Sequence, residues 1–104
     1  PNGNVYCASK FAVDALNQAM KIDLNGRNIR VCAINPGLVE TEFSQVRFDG
    51  DTQRAEAVYA NIDALSAQDI AETIAFVLAQ PPHVNIADLT ILPTCQASAT
   101  LVAR

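Results

Sequence analysis

The chain has 104 residues, half of them hydrophobic and 17% charged, which is the composition of a folded protein rather than a disordered tail. Its 11 acidic and 7 basic residues leave a net charge of -4, and with no basic run to follow a phosphate backbone, nucleic acid is not an expected partner. No apolar stretch reaches the roughly 18 residues of a membrane span, and the opening Pro-Asn-Gly-Asn lacks the charged start of a signal peptide, so no membrane partner and a cytoplasmic location are expected.

Over residues 6–24, Phe11, Ala12, Ala15, Leu16, Ala19 and Met20 recur at three- and four-residue intervals, the spacing of one helix face. Asn25-Gly26 ends that helix, because glycine tolerates the left-handed conformation that closes many helices. Residues 29–35, IRVCAIN, are rich in β-branched side chains and are halted by Pro36-Gly37, which predicts a strand buried on both faces. Residues 38–65 have weak periodicity and many polar side chains; they form a long excursion with a short helix near 52–60, of the kind that often covers a site.

Ser66 and Asp69 have the spacing of a capping box, so a second long helix starts there, with Ile70, Ile74, Val77 and Leu78 as its apolar stripe. Pro81-Pro82 stops it, since proline has no amide donor and clashes with the preceding turn. Residues 86–92, IADLTIL, make the next strand. The tail, 93–104, is small and polar apart from Leu101 and Val102 near its end, and it either hangs free or lies against something.

The order helix, strand, excursion, helix, strand predicts an α/β fold, the C-terminal part of a Rossmann-type doubly wound parallel sheet. Two strands covered on both faces need more protein than this chain supplies, so the earlier strands are expected elsewhere. The three cysteines, Cys7, Cys32 and Cys95, have no metal-ligand spacing and are expected to be buried thiols. His83, beside Pro81-Pro82 and without a second histidine, belongs in a loop, and no metal is expected.

Tyr6 and Lys10 lie four residues apart at the start of the first helix, so both side chains project from one face. An ammonium beside a phenol favours the phenolate and brings it nearer the working range of a general acid/base. A Tyr-x-x-x-Lys pair alone is weak evidence, equally compatible with a surface pair. Its company is more specific: Tyr6-Cys7-Ala8-Ser9-Lys10 opens an amphipathic helix, Ile34-Asn35-Pro36-Gly37 ends a strand, and Thr41 follows.

Together these residues resemble the short-chain dehydrogenases/reductases, and the resemblance extends over nearly the whole chain. It implies that Tyr6 is the proton donor and acceptor, and that Lys10 holds the nicotinamide ribose and keeps the tyrosine reactive. It implies further that Pro36, Gly37 and Val39 form the turn beside the nicotinamide, with the Val39 backbone facing the carboxamide, and that Thr41 contacts the cofactor. Gly-Asn-Val-Tyr with Ala-Ser-Lys, the run NPGLVETEFSQVRF over 35–48, and Pro-Pro-His-Val-Asn-Ile over 81–86 are similar to the bacterial NADP-dependent 3-hydroxy acid dehydrogenases, the branch that acts on serine and allo-threonine. That likeness favours NADP over NAD, puts a substrate lid at about 38–65, and makes Arg47 a candidate bidentate anchor for a substrate carboxylate. The bland alternative for Arg47 is a solvated loop residue paired with Asp49 or Asp51.

The resemblance also implies parts that these 104 residues do not contain. They have no glycine-rich pyrophosphate turn and neither the serine nor the asparagine that completes the family's active site. Residues 1–104 are therefore expected to be the C-terminal portion of a single domain whose N-terminal cofactor-binding half is missing, and to be inactive alone. The implied assembly is a homotetramer acting on a small hydroxy acid or carbonyl compound, with the tail crossing to a neighbouring subunit. The competing readings are a non-catalytic truncated family member that serves as an interaction partner, and an unrelated small α/β binding domain.

Overall fold

The computed structural model describes residues 3–41 and 52–104. Helix α1 spans Asn4–Asp23, strand β1 Ala33–Pro36, helix α2 Thr52–Tyr59, helix α3 Ala67–Leu78 and strand β2 Asp88–Ile91. The two strands are parallel, in the register Ala33 to Asp88 through Pro36 to Ile91, and the chain between them carries α2 and α3. Parallel neighbours require such a crossover, because their connected ends lie at opposite ends of the sheet.

The first helix begins two residues before the predicted 6–24 and ends at Asp23, one residue short. Gly26 follows at φ +84°, a left-handed conformation that costs glycine little, and Lys21 lies in the last turn, where the carbonyl ends favour a cation. The short helix predicted near 52–60 is α2, and Asn61 at φ +57° closes it. The capping box of α3 forms as predicted: the Ser66 hydroxyl accepts the Asp69 amide at 3.2 Å, and the Asp69 carboxylate accepts the Ser66 amide at 2.8 Å. His83 lies in a turn outside the described elements.

Two expectations need correction. The strand predicted over 29–35 is paired only from Ala33 to Pro36, and the one predicted over 86–92 only from Asp88 to Ile91. A ladder extends only as far as both strands offer partners. Pro36 is tolerated because Ala33 and Gly37 donate towards β2, to Ala87 and Ile91, so the amide that proline lacks would point to the other edge. Nor is β1 buried on both faces: Ala33 and Ile34 are half-buried, whereas Asn35 and Pro36 are exposed.

The apolar stripe of α1 is exposed in this chain. Phe11, Leu16 and Met20 are exposed, and the buried residue of this helix is Asn17. The chain is elongated, 49 × 28 × 23 Å with a radius of gyration of 16.1 Å, against about 13 Å for a compact domain of this size. Second, the cysteines are not all buried thiols. Cys7 is exposed on the uncovered α1, and Cys32 and Cys95 are partly accessible.

Helix α3 sits over the sheet above a cavity of about 310 Å³ lined by Cys32, Ile34, Ile74, Val77 and Ile86. Arg30 pins its end, donating to the carbonyls of Leu78 (3.1 Å), Gln80 (3.0 Å) and Val84 (3.3 Å), which satisfies acceptors that a helix C-terminus leaves open. Among the described residues no helix is long and apolar enough to cross a membrane, and no cluster could hold a metal ion.

Candidate active site

Tyr6 and Lys10 occupy the first turns of α1. The helix is uninterrupted from Asn4, so one turn separates the two side chains, and the Lys10 ammonium lies 5.5 Å from the centroid of the Tyr6 ring. That is within cation–π range, and it keeps a positive charge against the phenol. Tyr6 is partly open to solvent, with 46% of the residue exposed. Ser9, between the two, donates its hydroxyl back to the Tyr6 carbonyl at 2.7 Å and stays on the helix.

Pro36, Gly37, Val39 and Thr41 are consecutive along the end of β1 and the segment after it. The ends of the excursion are joined directly: Leu65 donates to the Leu38 carbonyl at 2.9 Å, and Glu40 donates to the Leu65 carbonyl at 2.8 Å. This parallel bridge consumes the groups on either side of Val39 and directs the Val39 amide to the opposite edge. The Val39 carbonyl accepts the Tyr59 hydroxyl at 2.8 Å. Thr41 lies in a bend just beyond. Arg47 falls outside the described residues.

Three residues of this region were not singled out from the sequence. Tyr59 reaches Val39 from α2, Gln96 accepts the Leu38 amide at 2.8 Å, and the Arg104 guanidinium donates to the carbonyls of Ala57, Val58 and Ala60. Gln96 and Arg104 lie in a small polar tail that carries no periodicity, and an aromatic near the end of a predicted helix was the single available hint for Tyr59. These bonds tie the tail to the turn after β1 and to α2; Leu101 is exposed, while Val102 is half-buried.

Residues 1–52, half of the chain and including Tyr6, Lys10 and the turn after β1, match the short chain dehydrogenase family. The chain belongs to that family. Among relatives of this short-chain dehydrogenase, an uncharacterized oxidoreductase of Mycobacterium tuberculosis is 51% identical over 98 residues, covering 94% of the chain and 39% of the relative. The NADP-dependent 3-hydroxy acid dehydrogenase of Schizosaccharomyces pombe is 44% identical over 102 residues, covering 98% and 39%. Among solved structures, the closed form of serine dehydrogenase complexed with NADP+ superposes with a TM-score of 0.90 at 43% identity, over 100% of this chain and 42% of that one. The short-chain dehydrogenase chain is therefore Rossmann-type α/β in fold, and it spans about two-fifths of the length of the curated relatives it matches.

Proposed function

We propose that this chain is the C-terminal part of an NADP(H)-dependent oxidoreductase that interconverts a small 3-hydroxy acid and the corresponding carbonyl compound, with Tyr6 as general acid/base. The observation that carries the reading is the Lys10 ammonium 5.5 Å from the Tyr6 ring centroid, at the start of a helix within the family match. The relatives' names supply the cofactor and substrate class: one is an NADP-dependent 3-hydroxy acid dehydrogenase, and the superposable serine dehydrogenase was solved with NADP+.

The residues present fit the cofactor. Lys10 would hold the nicotinamide ribose, the Val39 amide is directed away from Leu65 and suits a carboxamide oxygen, and Pro36, Gly37 and Thr41 border the same turn. When bound, the nicotinamide supplies the group that accepts or donates hydride. Tyr6 moves the proton: its phenolate oxygen takes it from the substrate hydroxyl during oxidation and returns it to the carbonyl oxygen during reduction. Lys10 sets its positive charge beside the phenol, and Arg47 holds the substrate carboxylate. The pyrophosphate turn and the remaining polar groups of the site are assigned to residues outside these 104, so the chain alone is inactive, and the complete enzyme is a cytoplasmic homotetramer.

The test is NADP+ reduction by the full-length protein containing this chain, with L-serine, L-allo-threonine and 3-hydroxypropionate as substrates. Turnover with at least one of them is expected. Absence of turnover with all three, in a protein that is folded, overturns the reading, and a folded protein that fails to bind NADPH assigns the chain to a non-catalytic role.

A further inference from the structure

Residues 93–104 form a closed strap between the turn after β1 and helix α2. At one end, the Gln96 carboxamide is committed on both sides: Oε1 accepts the Leu38 amide at 2.8 Å, and Nε2 donates to the Ser98 carbonyl at 3.2 Å. Gly37 makes that approach possible. A Cβ at this position would overlap Gln96 Oε1 and come within 2.8 Å of Leu92 Cδ2 and 3.1 Å of Pro93 Cδ, so any larger residue would push the carboxamide off the amide.

The strap then turns back through an antiparallel bridge between Gln96 and Val102, with Ala103 donating to the Cys95 carbonyl at 2.8 Å and Ala97 to the Leu101 carbonyl at 2.9 Å. At its far end Arg104 donates to three carbonyls at the C-terminus of α2: Ala57 at 3.4 Å, Val58 at 3.2 Å and Ala60 at 2.9 Å. Acceptors left open at a helix end favour a cation there. Helix α2 returns the connection through the Tyr59 hydroxyl on the Val39 carbonyl, so the turn is gripped from both sides of the Leu38–Val39 peptide.

We infer that Gln96 is a positioning residue for the nicotinamide end of NADP(H), and that Arg104 latches the strap that carries it. The inference rests on the NADP(H) reading above. By fixing the Leu38 amide, Gln96 acts together with the Leu65 bridge on the Leu38 carbonyl to keep the following peptide, and hence the Val39 amide that meets the carboxamide, in one orientation. The groups that hold the adenosine phosphates are assigned above to residues outside these 104, so their binding should not depend on Gln96.

The experiment is calorimetric titration of the full-length protein with NADP+ and, separately, with adenosine 2′,5′-bisphosphate, which carries the adenosine half alone. In Gln96→Met, NADP+ should bind about fivefold more weakly, the equivalent of ~1 kcal/mol for one lost hydrogen bond, with the bisphosphate unchanged. Gln96→Glu retains the acceptor for the Leu38 amide but gives up the donation to the Ser98 carbonyl, so its loss should be smaller than that of Gln96→Met. Arg104→Met, at an exposed position, should show the same selective loss, and it decides the matter if Gln96→Met does not fold. Unchanged NADP+ binding, or equal weakening of both ligands, overturns the inference; a parent protein that binds the bisphosphate but not NADP+ overturns it too, and one that binds neither overturns the functional reading beneath it.

Discussion

Lys10 holds its ammonium 5.5 Å from the centroid of the Tyr6 ring, one helical turn further along α1. Helix geometry puts the two side chains on one face wherever the first turns of α1 form. Replacing Tyr6 with Phe keeps the ring beneath the ammonium and removes the proton-transfer group. In the full-length enzyme, kcat should fall by about 10²- to 10⁴-fold while the Kd for NADP+ stays nearly constant. Lys10→Met should damage both quantities, as the roles proposed for that side chain at the ribose and the phenol require. Turnover close to the parent in Tyr6→Phe would remove Tyr6 from the chemistry.

Arg47 is tested through substrate choice. In Arg47→Ala, KM for a 3-hydroxy acid should rise at least about tenfold more than KM for an uncharged alcohol of similar shape, as loss of a charge-assisted anchor requires. Parallel changes for the two substrates would show that Arg47 holds no carboxylate.

The start of α3 gives a pH dependence with a defined sign. The Ser66 amide, and secondarily its hydroxyl, hold the Asp69 carboxyl below the ordinary aspartate value. A folded-state value depressed in this way adds stability that is fully present above the unfolded value and lost as pH falls through the folded one. Urea midpoints of the full-length protein should therefore drop on acidification through that window, and Asp69→Asn should flatten this part of the curve. Ser66→Ala removes the hydroxyl acceptor and should cost about 1 kcal/mol at neutral pH. An identical acid limb in Asp69→Asn would assign the dependence to other groups.

Made by itself, the 104-residue chain should aggregate or stay poorly folded. Val5 is 78% exposed, Phe11 76% and Ile22 75%, all on α1, and Asn35 and Pro36 of the two-stranded sheet are exposed as well. An apolar load of that size is characteristic of a surface meant for burial, and unpaired strand edges add to it. Size-exclusion chromatography with light scattering checks this on the chain and on the full-length protein, for which a tetramer is expected. A monodisperse monomer of the chain with cooperative unfolding would contradict the prediction.

What the sequence determined by itself was local. The α1 and α3 periodicities, the Ser66 and Asp69 capping box, the stop at Asn25-Gly26 and the Tyr6 and Lys10 pairing depend on residues within a turn or two of one another, where backbone geometry leaves few choices. Tertiary structure decided everything that needs a partner from far along the chain. The strand predicted from Ile29 starts at Ala33 because its length is set by the residues β2 presents, beginning at Asp88. Phe11 and Leu16 carry a core-like spacing yet stay exposed, since periodicity says which side chains share a face and not what covers it. Gln96 on the Leu38 amide and Arg104 on the end of α2 join residues more than forty positions apart. A single polar side chain in an irregular tail has no spacing to betray it, and the chain's path alone brings it to its acceptor or donor.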